Sequence, residues 1–426
     1  MDPPNWWAGM HMSTVELLIS GDNAGAAKLS TKGGHANILS QKQLDHPDYL
    51  VAEIEFPATA GPSDFELILS WGKIEKRIPY SVKSRTRNWQ KISGVTAEDF
   101  IYLIMPDRFA NGDPKNDVVK GLNEAHINRD SMYHRHGGDL QGIIDHLDYL
   151  EDLGVTALWI NPVQENDQPK TSYHGYAITD HYRIDPRFGD NALYKKLVDA
   201  CHKRGMKMIM DVIYNHWGDQ HYLQRKAPSP DFIHQQDKFQ RTSYRAPTLL
   251  DPYASEKDRK IMTDGWFDVH MPDLNQKNPH LAKYLIQNSI WWIEYAGLDG
   301  FRIDTYAYSD QDFMQDLLKA IQREYPKFGI FGETWVHGAP VQAFFAENKI
   351  ENGSPSTLPG VTDFQLYYAL NEALTKPMGW TEGISRMYFT LAKDYLYKDP
   401  YRNVLFLDNH DLSRFYSVIG EDPKKF

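Results

Sequence analysis

From residue 99 onward, short apolar runs alternate with amphipathic stretches, and this pattern constrains the fold more than any other feature of the sequence. The amphipathic stretches have the spacing of helices, and the apolar runs have the length of buried strands. The strand candidates are IYLIMPDRF, TALWINPV, MKMIMDVIYNH, DGFRID, FGIFGET, GVTDFQL and NVLFLDNHD. Repeated strand–helix units predict a parallel sheet or an α/β barrel.

The strand candidates fall one short of an eight-stranded (β/α)8 TIM barrel. No eighth candidate precedes Phe426, so the pattern predicts a barrel over residues 96–426 that is truncated after strand seven. Such a barrel would expose unpaired strand edges at its seam. The stretch of about 217–278, after strand three, is too long for an ordinary connecting loop, and it predicts a small inserted subdomain over the barrel mouth.

Residues 1–95 follow a different pattern. Short alternating segments such as VELLISG and DFELILSWG are separated by clusters of Gly, Pro, Asn and Asp. This arrangement is typical of an immunoglobulin-like β-sandwich. The following segment, residues 84–100, has charge and turn signals without periodicity and is predicted to be the domain linker.

Charge and hydropathy exclude two classes of partner. The net charge of −11 argues against nucleic acid, because nucleic-acid binders carry a basic face that neutralises phosphates. No apolar run reaches the length of a membrane span, so no membrane partner is expected. The only cysteine, Cys201, lies in an apolar-periodic stretch and is predicted to be a buried structural thiol rather than a nucleophile.

Three acidic residues stand at the ends of three strand candidates. They are Asp304 in GFRID, Glu333 in FGET and Asp411 in LDNHD. In an α/β barrel these strand ends converge on the active site. A lone acid there is more often a helix cap or a salt-bridge partner, but three together suit glycoside hydrolysis, which in its retaining form needs a carboxylate pair about 5–5.5 Å apart.

Neighbouring residues predict different roles for these acids. Arg302 is two residues before Asp304 on one strand, so both point to the same side, and the cation is expected to keep Asp304 ionised at neutral pH. Glu333 must instead hold a proton, and we expect the charges of Asp304 and Asp411 to raise its pKa. His216 and His410 are predicted to hydrogen-bond sugar hydroxyls.

At these positions the sequence resembles glycoside hydrolase family 13, the α-amylase family. DVIYNH, GFRID, GET and LDNHD are similar to its four ordered signature segments, and the resemblance extends from about residue 99 to 415. It implies that Asp304 attacks the anomeric carbon and that Glu333 serves as general acid and then base. Asp411 would stabilise the oxocarbenium-like transition state.

The same resemblance implies a substrate-binding set. His216, His410 and Arg302 would grip the sugar in the subsite before the scissile bond, and Tyr176 in YHGY would stack on it. Trp335 matches a position where related enzymes carry an aromatic residue for the acceptor sugar, although a packed loop tryptophan is an equally good interpretation. The complete predicted set is Tyr176, Asp211, His216, Arg302, Trp335, His410 and Arg414.

Within the family, MPDLN at 271–275 and the amino-terminal sandwich resemble the neopullulanase and cyclomaltodextrinase group. This implies cleavage of α-1,4 bonds in cyclodextrins, pullulan and short maltooligosaccharides, and a homodimer. Two alternatives stay open: a non-catalytic glucan-binding protein on the same fold, and a transglycosylase. PNWWAGM is similar to periplasmic starch-utilisation enzymes, which implies a periplasmic location. A cytoplasmic location is the alternative, since MDPPNWWAGM lacks signal-peptide features.

A structural calcium ion is also expected. The segments NGDPKND and HGGDL supply oxygen ligands at loop spacing, although an Asx-rich turn without an ion would explain the first segment alone. The structural calcium site of the neopullulanase and cyclomaltodextrinase group resembles both segments. The predicted Ca²⁺ site consists of Asn111, Asp113, Asn116, Asp117, Gly137 and Asp139.

Overall fold

The computed structural model describes residues 1–57, 59–87, 89, 93–234, 238–350 and 356–425. The linker predicted over 84–100 therefore lies partly outside the described residues, as does a short part of the predicted insertion. No helix in the described residues is both long and apolar enough to cross a membrane.

The amino-terminal region consists of two β-sheets. Its strands are β1 Trp6–Trp7, β2 Thr14–Ser20, β3 Lys28–Lys32, β4 Asn37–Gln43, β5 Tyr49–Glu55, β6 Ser63–Trp71 and β7 Ile74–Lys83. One sheet has the order β1-β7-β6-β3 and the other the order β2-β5-β4. Alternating apolar residues of both sheets are buried in a shared core, as in a sandwich.

The larger region is built on one parallel sheet. The next strands along the chain are β8 Ile101–Ile104, β9 Ala157–Ile160, β10 Gln164–Glu165, β11 Asp180–Ile184, β12 Lys207–Ile213, β13 Gly300–Asp304, β14 Gly329–Gly332 and β15 Gly360–Val361. The six-stranded sheet has the order β15-β14-β13-β12-β9-β8, and each of its pairs is parallel. Because strand order follows chain order, this sheet is a half-barrel.

Helices connect these strands, as the alternating pattern predicts. They are α1 Pro106–Phe109, α2 Leu140–Asp145, α3 Leu147–Asp152, α4 Asn191–Lys203, α5 Tyr222–Arg225, α6 Glu256–Asp264, α7 Pro279–Trp292, α8 Gln311–Glu324, α9 Ala339–Phe345, α10 Phe364–Thr375, α11 Ser385–Leu391 and α12 Phe415–Val418. Side-chain caps begin the long helices: Asp190 accepts from the backbone of α4, Asn278 from that of α7, and Asp310 from that of α8.

The amino-terminal sheets pack on helix α7 of the half-barrel. The backbone N–H of Glu16 in β2 donates to Gln287 Oε1 at 2.7 Å, and Gln287 Nε2 donates back to the Glu16 carbonyl at 2.8 Å. The Glu16 carboxylate also pairs with His280 at 2.9 Å and with Lys283 at 3.2 Å. This side of β2 is therefore buried against polar partners, which explains why β2 has buried residues on both faces.

The strand predicted over NVLFLDNHD is wrong. Val404 forms a single isolated bridge with Thr362, and no ladder extends along this segment. Leu405 and Leu407 are 61% and 38% exposed. The neighbouring strand β15 is only two residues long, so the apolar run lacks the continuous partner that a strand needs.

The strand predicted over GVTDFQL is also shorter than expected. Only its first two residues form β15, and helix α10 begins at Phe364. The Asp363 side chain accepts a hydrogen bond from the Leu366 backbone N–H at 3.0 Å. This helix cap explains why the apolar residues after Asp363 turn into a helix.

Candidate active site

The carboxyl ends of the strands open into a cavity of about 420 Å³. The three predicted acids all line it, and so do four residues of the predicted substrate-binding set. These seven residues are Tyr176, His216, Asp304, Glu333, Trp335, His410 and Asp411. The fold therefore brings together side chains that are up to 235 positions apart (411 − 176) in the sequence.

Arg302 connects three carboxylates behind the cavity wall. Its Nη1 donates to Asp304 Oδ1 at 2.7 Å and to Asp211 Oδ1 at 2.9 Å, and its Nη2 pairs with Glu333 Oε1 at 2.9 Å. Strand register explains the first two contacts, since Asp211 of β12 lies directly beside Arg302 of β13. Arg302 and Asp211 are fully buried. The guanidinium therefore holds the three carboxylates in place through charge-assisted hydrogen bonds that solvent does not reach.

Thr305 joins the nucleophile and acid candidates from the other side. It follows Asp304 directly and has a left-handed backbone with φ of 45°. In this conformation its backbone N–H donates to Glu333 Oε2 at 2.9 Å, while its hydroxyl donates to Asp304 Oδ2 at 3.1 Å. Positive φ is unfavourable for a threonine, so the hydrogen bonds to both carboxylates stabilise a strained backbone at the site.

The pKa of Glu333 is raised to about 7. Burial is the largest cause, the neighbouring charges of Asp304 and Asp411 raise the pKa further, and Arg302 opposes them. The predicted direction is confirmed, but desolvation contributes more than like charge. Glu333 is consequently protonated over much of the acidic to neutral range, as a general acid requires.

The prediction that Arg302 keeps Asp304 ionised at neutral pH is wrong. Burial raises the pKa of Asp304 to about 7, and the charge of Asp211 adds to this despite the arginine. The physical reason is that a single guanidinium serves three buried carboxyl groups, and it cannot neutralise all of them. The pKa of Asp211 is likewise raised by burial, to about 6.

Tyr176 and His410 form one wall of the cavity. Their rings are stacked, with centroids 5.3 Å apart and an interplanar angle of 4°, and the Tyr176 hydroxyl lies 2.7 Å from His410 Nε2. The hydroxyl donates to Asp211 Oδ2 at 2.9 Å. His410 Nε2 is 3.3 Å from Asp411 Oδ2. His410 therefore connects Asp411, through Tyr176, to the buried Asp211, although the segment that contains His410 and Asp411 is not a strand.

Of the two remaining residues that were predicted to contact the sugar, His216 lines the cavity and Arg414 does not. His216 lines the cavity, stacks on Phe267 at 5.1 Å, and its Nε2 is buried with no hydrogen-bond partner among the described residues. Burial lowers its pKa to about 3, so it is neutral and can hydrogen-bond a hydroxyl. The Arg414 side chain is 79% exposed and pairs with Asp408 at 3.2 Å rather than with a cavity residue. Its role in binding stays a prediction.

Seven cavity residues were not predicted: Met105, Tyr173, His174, Phe267, Met271, Thr305 and Tyr308. Three of them could have been found from the sequence, because Tyr173 and His174 belong to the YHGY segment and Met271 begins the MPDLN segment, and both segments were already assigned to the resemblance. Phe267 and Tyr308 had none, since their place on the wall depends on packing between distant loops. Two residues that orient the site were also missed: Trp159 Nε1 donates to Asp211 at 2.9 Å, and Asn161 Nδ2 donates to Tyr176 at 2.6 Å.

The residues predicted to bind calcium lie together. Asn111 Nδ2 donates to Asp117 Oδ1 at 2.7 Å, and Asn116 Nδ2 donates to Asp139 Oδ2 at 3.3 Å. The backbone N–H of Asp113 donates to Asp139 Oδ2 at 2.8 Å. A side chain at Gly137 would collide with Asp117, because an added Cβ would lie 2.7 Å from its Oδ1.

Two observations bear on whether this cluster fits a cation. Asn111 Oδ1 and Asn116 Oδ1 are buried oxygens without a hydrogen-bond partner among the described residues, and such atoms suit a hard cation. No three His, Cys, Asp or Glu side chains in the described ranges converge as a metal-binding group. A cation here would therefore depend on amide and backbone oxygens together with the carboxylates, which is ordinary calcium coordination.

Comparison with known families agrees with this geometry. A model of the α-amylase catalytic domain matches residues 103–426. The chain belongs to the α-amylase family. The cyclomaltodextrinase amino-terminal domain matches residues 1–86, so the predicted family and group are both confirmed.

Individual α-amylase-family relatives cover most of this chain. Neopullulanase 2 of Thermoactinomyces vulgaris is 31% identical over 352 aligned residues, and the match covers 80% of this chain and 54% of that protein. The intracellular maltogenic amylase of Bacillus subtilis is 33% identical over 337 residues, covering 76% and 51% respectively. The chain thus spans about half the length of the curated relatives it matches. A cyclomaltodextrinase structure covers 99% of the chain and 72% of its own length with a TM-score of 0.60 at 23% identity, which shows a shared fold.

Proposed function

We propose that this chain is a retaining α-glucan hydrolase that cleaves α-1,4 bonds in cyclodextrins, pullulan and short maltooligosaccharides. The observation that carries the proposal is the convergence of Asp304, Glu333 and Asp411 on one cavity, with Arg302 bridging the first two. A carboxylate nucleophile beside a carboxylic acid is the arrangement that retaining glycoside hydrolysis requires. The names of the relatives support the substrate class.

In the first step, ionised Asp304 attacks the anomeric carbon of the bound sugar. The bond to the leaving oxygen breaks while Glu333 transfers its proton to that oxygen, and a glycosyl ester forms on Asp304. Arg302 donates to Asp304 Oδ1 and the Thr305 hydroxyl donates to Asp304 Oδ2, so the two hydrogen bonds fix the orientation of the carboxylate. Asp411, which also lines the cavity, stabilises the positive charge that develops on the sugar ring.

In the second step, Glu333 acts as the base. It takes a proton from water, the water oxygen bonds to the anomeric carbon, and the ester bond to Asp304 breaks. Both inversions together retain the α configuration. His216 and His410 are neutral, since burial lowers the pKa of His216 to about 3 and that of His410 to about 4, and we assign them to hydrogen bonds with sugar hydroxyls.

We also infer that residues 217–278 form the inserted subdomain that completes the cavity. Phe267 and Met271 of this stretch line the cavity, and His234 pairs with the buried Asp273 at 2.7 Å. Loops that close the barrel mouth are where α/β barrels build substrate specificity. Residues 235–237 of the stretch lie outside the described residues.

The substrate class has a direct test. We expect the chain to cleave β-cyclodextrin and pullulan faster than soluble starch, because its amino-terminal domain matches that of cyclomaltodextrinase and one of its relatives is named neopullulanase. Reducing ends would report the rates, chromatography the product sizes, and proton NMR of fresh products the α configuration.

Three outcomes would contradict the proposal. Products that appear first as the β anomer would exclude a retaining mechanism. Glucan binding by calorimetry with no cleavage of any of the three substrates would favour a non-catalytic binding protein. Sugar products longer than the substrate would instead favour a transglycosylase.

A structural calcium ion is the second part of the proposal. Asn111, Asn116, Asp117 and Asp139 would supply side-chain oxygens, and Gly137 leaves room beside Asp117. The ion would tie the loop at 111–117 to the segment that begins helix α2. It would contribute stability to this corner of the molecule and take no part in the reaction.

Calcium is expected to raise the melting temperature. Saturating Ca²⁺ relative to EDTA should increase it by about 3–8 °C, because an ion that binds only the folded state adds its binding free energy to stability. Asp117→Asn should abolish most of this increase. Asp130→Asn removes an exposed carboxylate outside the predicted set and should keep the full increase. An equal response in both variants would exclude a calcium ion at this cluster.

A further inference from the structure

One histidine of the cavity has a buried donor that no described residue satisfies. His216 is 1% exposed and lines the cavity, and its Nε2 has no hydrogen-bond partner among the described residues. Its Nδ1 lies 3.2 Å from Asn215 Nδ2. An amide nitrogen can only donate, so Nδ1 accepts, and the proton of the neutral ring is on Nε2. A sugar hydroxyl that accepts from this N–H would satisfy it.

The orientation of this imidazole depends on a neighbouring aromatic ring. The torsion that turns a histidine ring has broad, roughly two-fold preferences, so the side chain by itself does not fix the plane of the ring. Phe267 lies flat against His216, with ring centroids 5.1 Å apart and an interplanar angle of 15°. This stack fixes the plane of the imidazole, and the contact with Asn215 selects one of its two opposite orientations. Together they determine where the Nε2–H lies.

Two tyrosines hold Phe267 in turn. Tyr244 meets its ring edge-on at 5.5 Å and 86°, and Tyr308 meets it at 5.7 Å and 84°, which are favourable edge-to-face arrangements. The Tyr244 hydroxyl also donates to the Phe267 carbonyl, so both the ring and the backbone of Phe267 are held. Tyr244 has a left-handed backbone with φ of 54°, which a bulky residue rarely adopts. Its contacts with Phe267 offset this cost.

We propose that Phe267, clamped by Tyr244, is a positioning residue that fixes the His216 imidazole so that its Nε2–H is in place for one hydroxyl of the bound sugar. This inference rests on the proposed hydrolase function. Its consequence is specificity, since a sugar that lacks this hydroxyl leaves the N–H buried and unpaired. An imidazole free to rotate would have to be ordered at each binding event, which weakens binding.

Phe267 itself lines the cavity, so positioning has to be distinguished from direct contact between Phe267 and the sugar. If Phe267 acted by direct contact, the losses of affinity on replacing Phe267 and His216 would add. If it acts by positioning, they do not add, because Phe267 has nothing to orient once the imidazole is gone. A double-mutant cycle on binding therefore separates the two roles.

Calorimetric titration of the Asp304→Asn chain with maltotetraose measures binding without turnover. In that background Phe267→Leu should weaken binding about threefold to tenfold, the contribution of one neutral hydrogen bond. When His216→Ala is already present, adding Phe267→Leu should change the affinity less than about twofold. Phe239→Leu is the matched control, because it alters a ring of the same inserted stretch that packs on Trp266, and it should keep the affinity. Equal losses with and without the His216 imidazole would overturn the proposal.

Hydrolysis of α-glucosyl fluoride and its monodeoxy analogues gives a second measurement. His216→Ala identifies the relevant hydroxyl as the one whose removal no longer lowers kcat/KM. Phe267→Leu and the milder Tyr244→Phe, which keeps the ring but removes the hydroxyl on the Phe267 carbonyl, should both reduce the penalty for that deoxy position by about threefold or more. Penalties at the other positions should persist. Tyr253→Phe changes a tyrosine that is 93% exposed and should keep every wild-type ratio.

The two measurements also separate this inference from the proposed function. Unchanged deoxy penalties in Tyr244→Phe would refute the clamp even if Phe267→Leu were too unstable to purify. A wild-type chain that hydrolyses neither α-glucosyl fluoride nor any glucan would refute the hydrolase function, and the calorimetric cycle would still decide whether Phe267 positions His216.

Discussion

Replacing Asp304 with Asn will lower kcat on cyclodextrin and maltooligosaccharides by at least about 10⁴-fold, because loss of a nucleophile removes the covalent route. An amide cannot form the glycosyl ester at a useful rate. Its geometry can still accept the hydrogen bond from Arg302 Nη1, which lies 2.7 Å from Asp304 Oδ1. The cavity should therefore keep its shape, and substrate binding should persist in calorimetry.

A matched variant separates this effect from general damage. Asp316→Asn changes an exposed carboxylate of helix α8 that pairs with Lys319 at the surface, and it should keep wild-type kcat. Melting temperatures of both variants should lie within about 3 °C of wild type, as expected for isosteric changes. If Asp304→Asn retained more than about 1% of wild-type kcat, Asp304 would not be the nucleophile.

Replacing Glu333 with Gln should lower kcat on maltooligosaccharides by about 10²- to 10⁴-fold, the usual contribution of a general acid. Glutamine keeps the side-chain oxygen that accepts from the Thr305 N–H, but its amide has no acidic proton to transfer to the leaving group. The loss should be much smaller for the first step on α-maltosyl fluoride, because fluoride leaves without protonation. Azide, which needs no base, should then accelerate release of the enzyme-bound sugar.

The pH dependence follows from the same residue. The folded-state pKa of Glu333 is about 7 and that of Asp304 is also raised to about 7. In the free enzyme the acid Glu333 must be protonated and the nucleophile Asp304 must be ionised, so wild-type kcat/KM should be bell-shaped and should fall as the pH rises above about 7, where Glu333 loses its proton. Glu333→Gln should lack this alkaline decline. Glu347→Gln, which alters a partly exposed carboxylate paired with Lys398, should retain it. If Glu333→Gln lost as much activity on α-maltosyl fluoride as on maltooligosaccharides, Glu333 would be excluded as the general acid.

Strand ends were the most informative part of the sequence. Asp304 is the last residue of β13, and Glu333 follows β14 directly. The prediction succeeded because an apolar run marks a buried parallel strand, and parallel strands deliver their carboxyl ends to one edge of the sheet. The residue pair Arg302 and Asp304 was predictable for the same reason, since residues two apart on a strand share a side.

Predicting a strand from an apolar run failed where the neighbouring strand is too short to pair with it. NVLFLDNHD has an apolar run, yet Val404 forms only one bridge, because β15 is two residues long. Asp411 nevertheless lines the cavity. Its position comes from the contact between His410 and Tyr176 rather than from a sheet, and no local pattern records such a contact.

The sequence by itself determined the order of the strand–helix units, the two-sheet amino-terminal region, and the three acids that line the cavity. Tertiary structure decided the protonation of those acids and the surface beside them. One guanidinium, Arg302, is shared among Asp211, Asp304 and Glu333, and burial raises the pKa values of all three carboxyl groups. Periodicity reports which side of a strand or helix a residue occupies. Desolvation and shared partners depend on residues far apart in the chain, so they arise only when the fold brings those residues together.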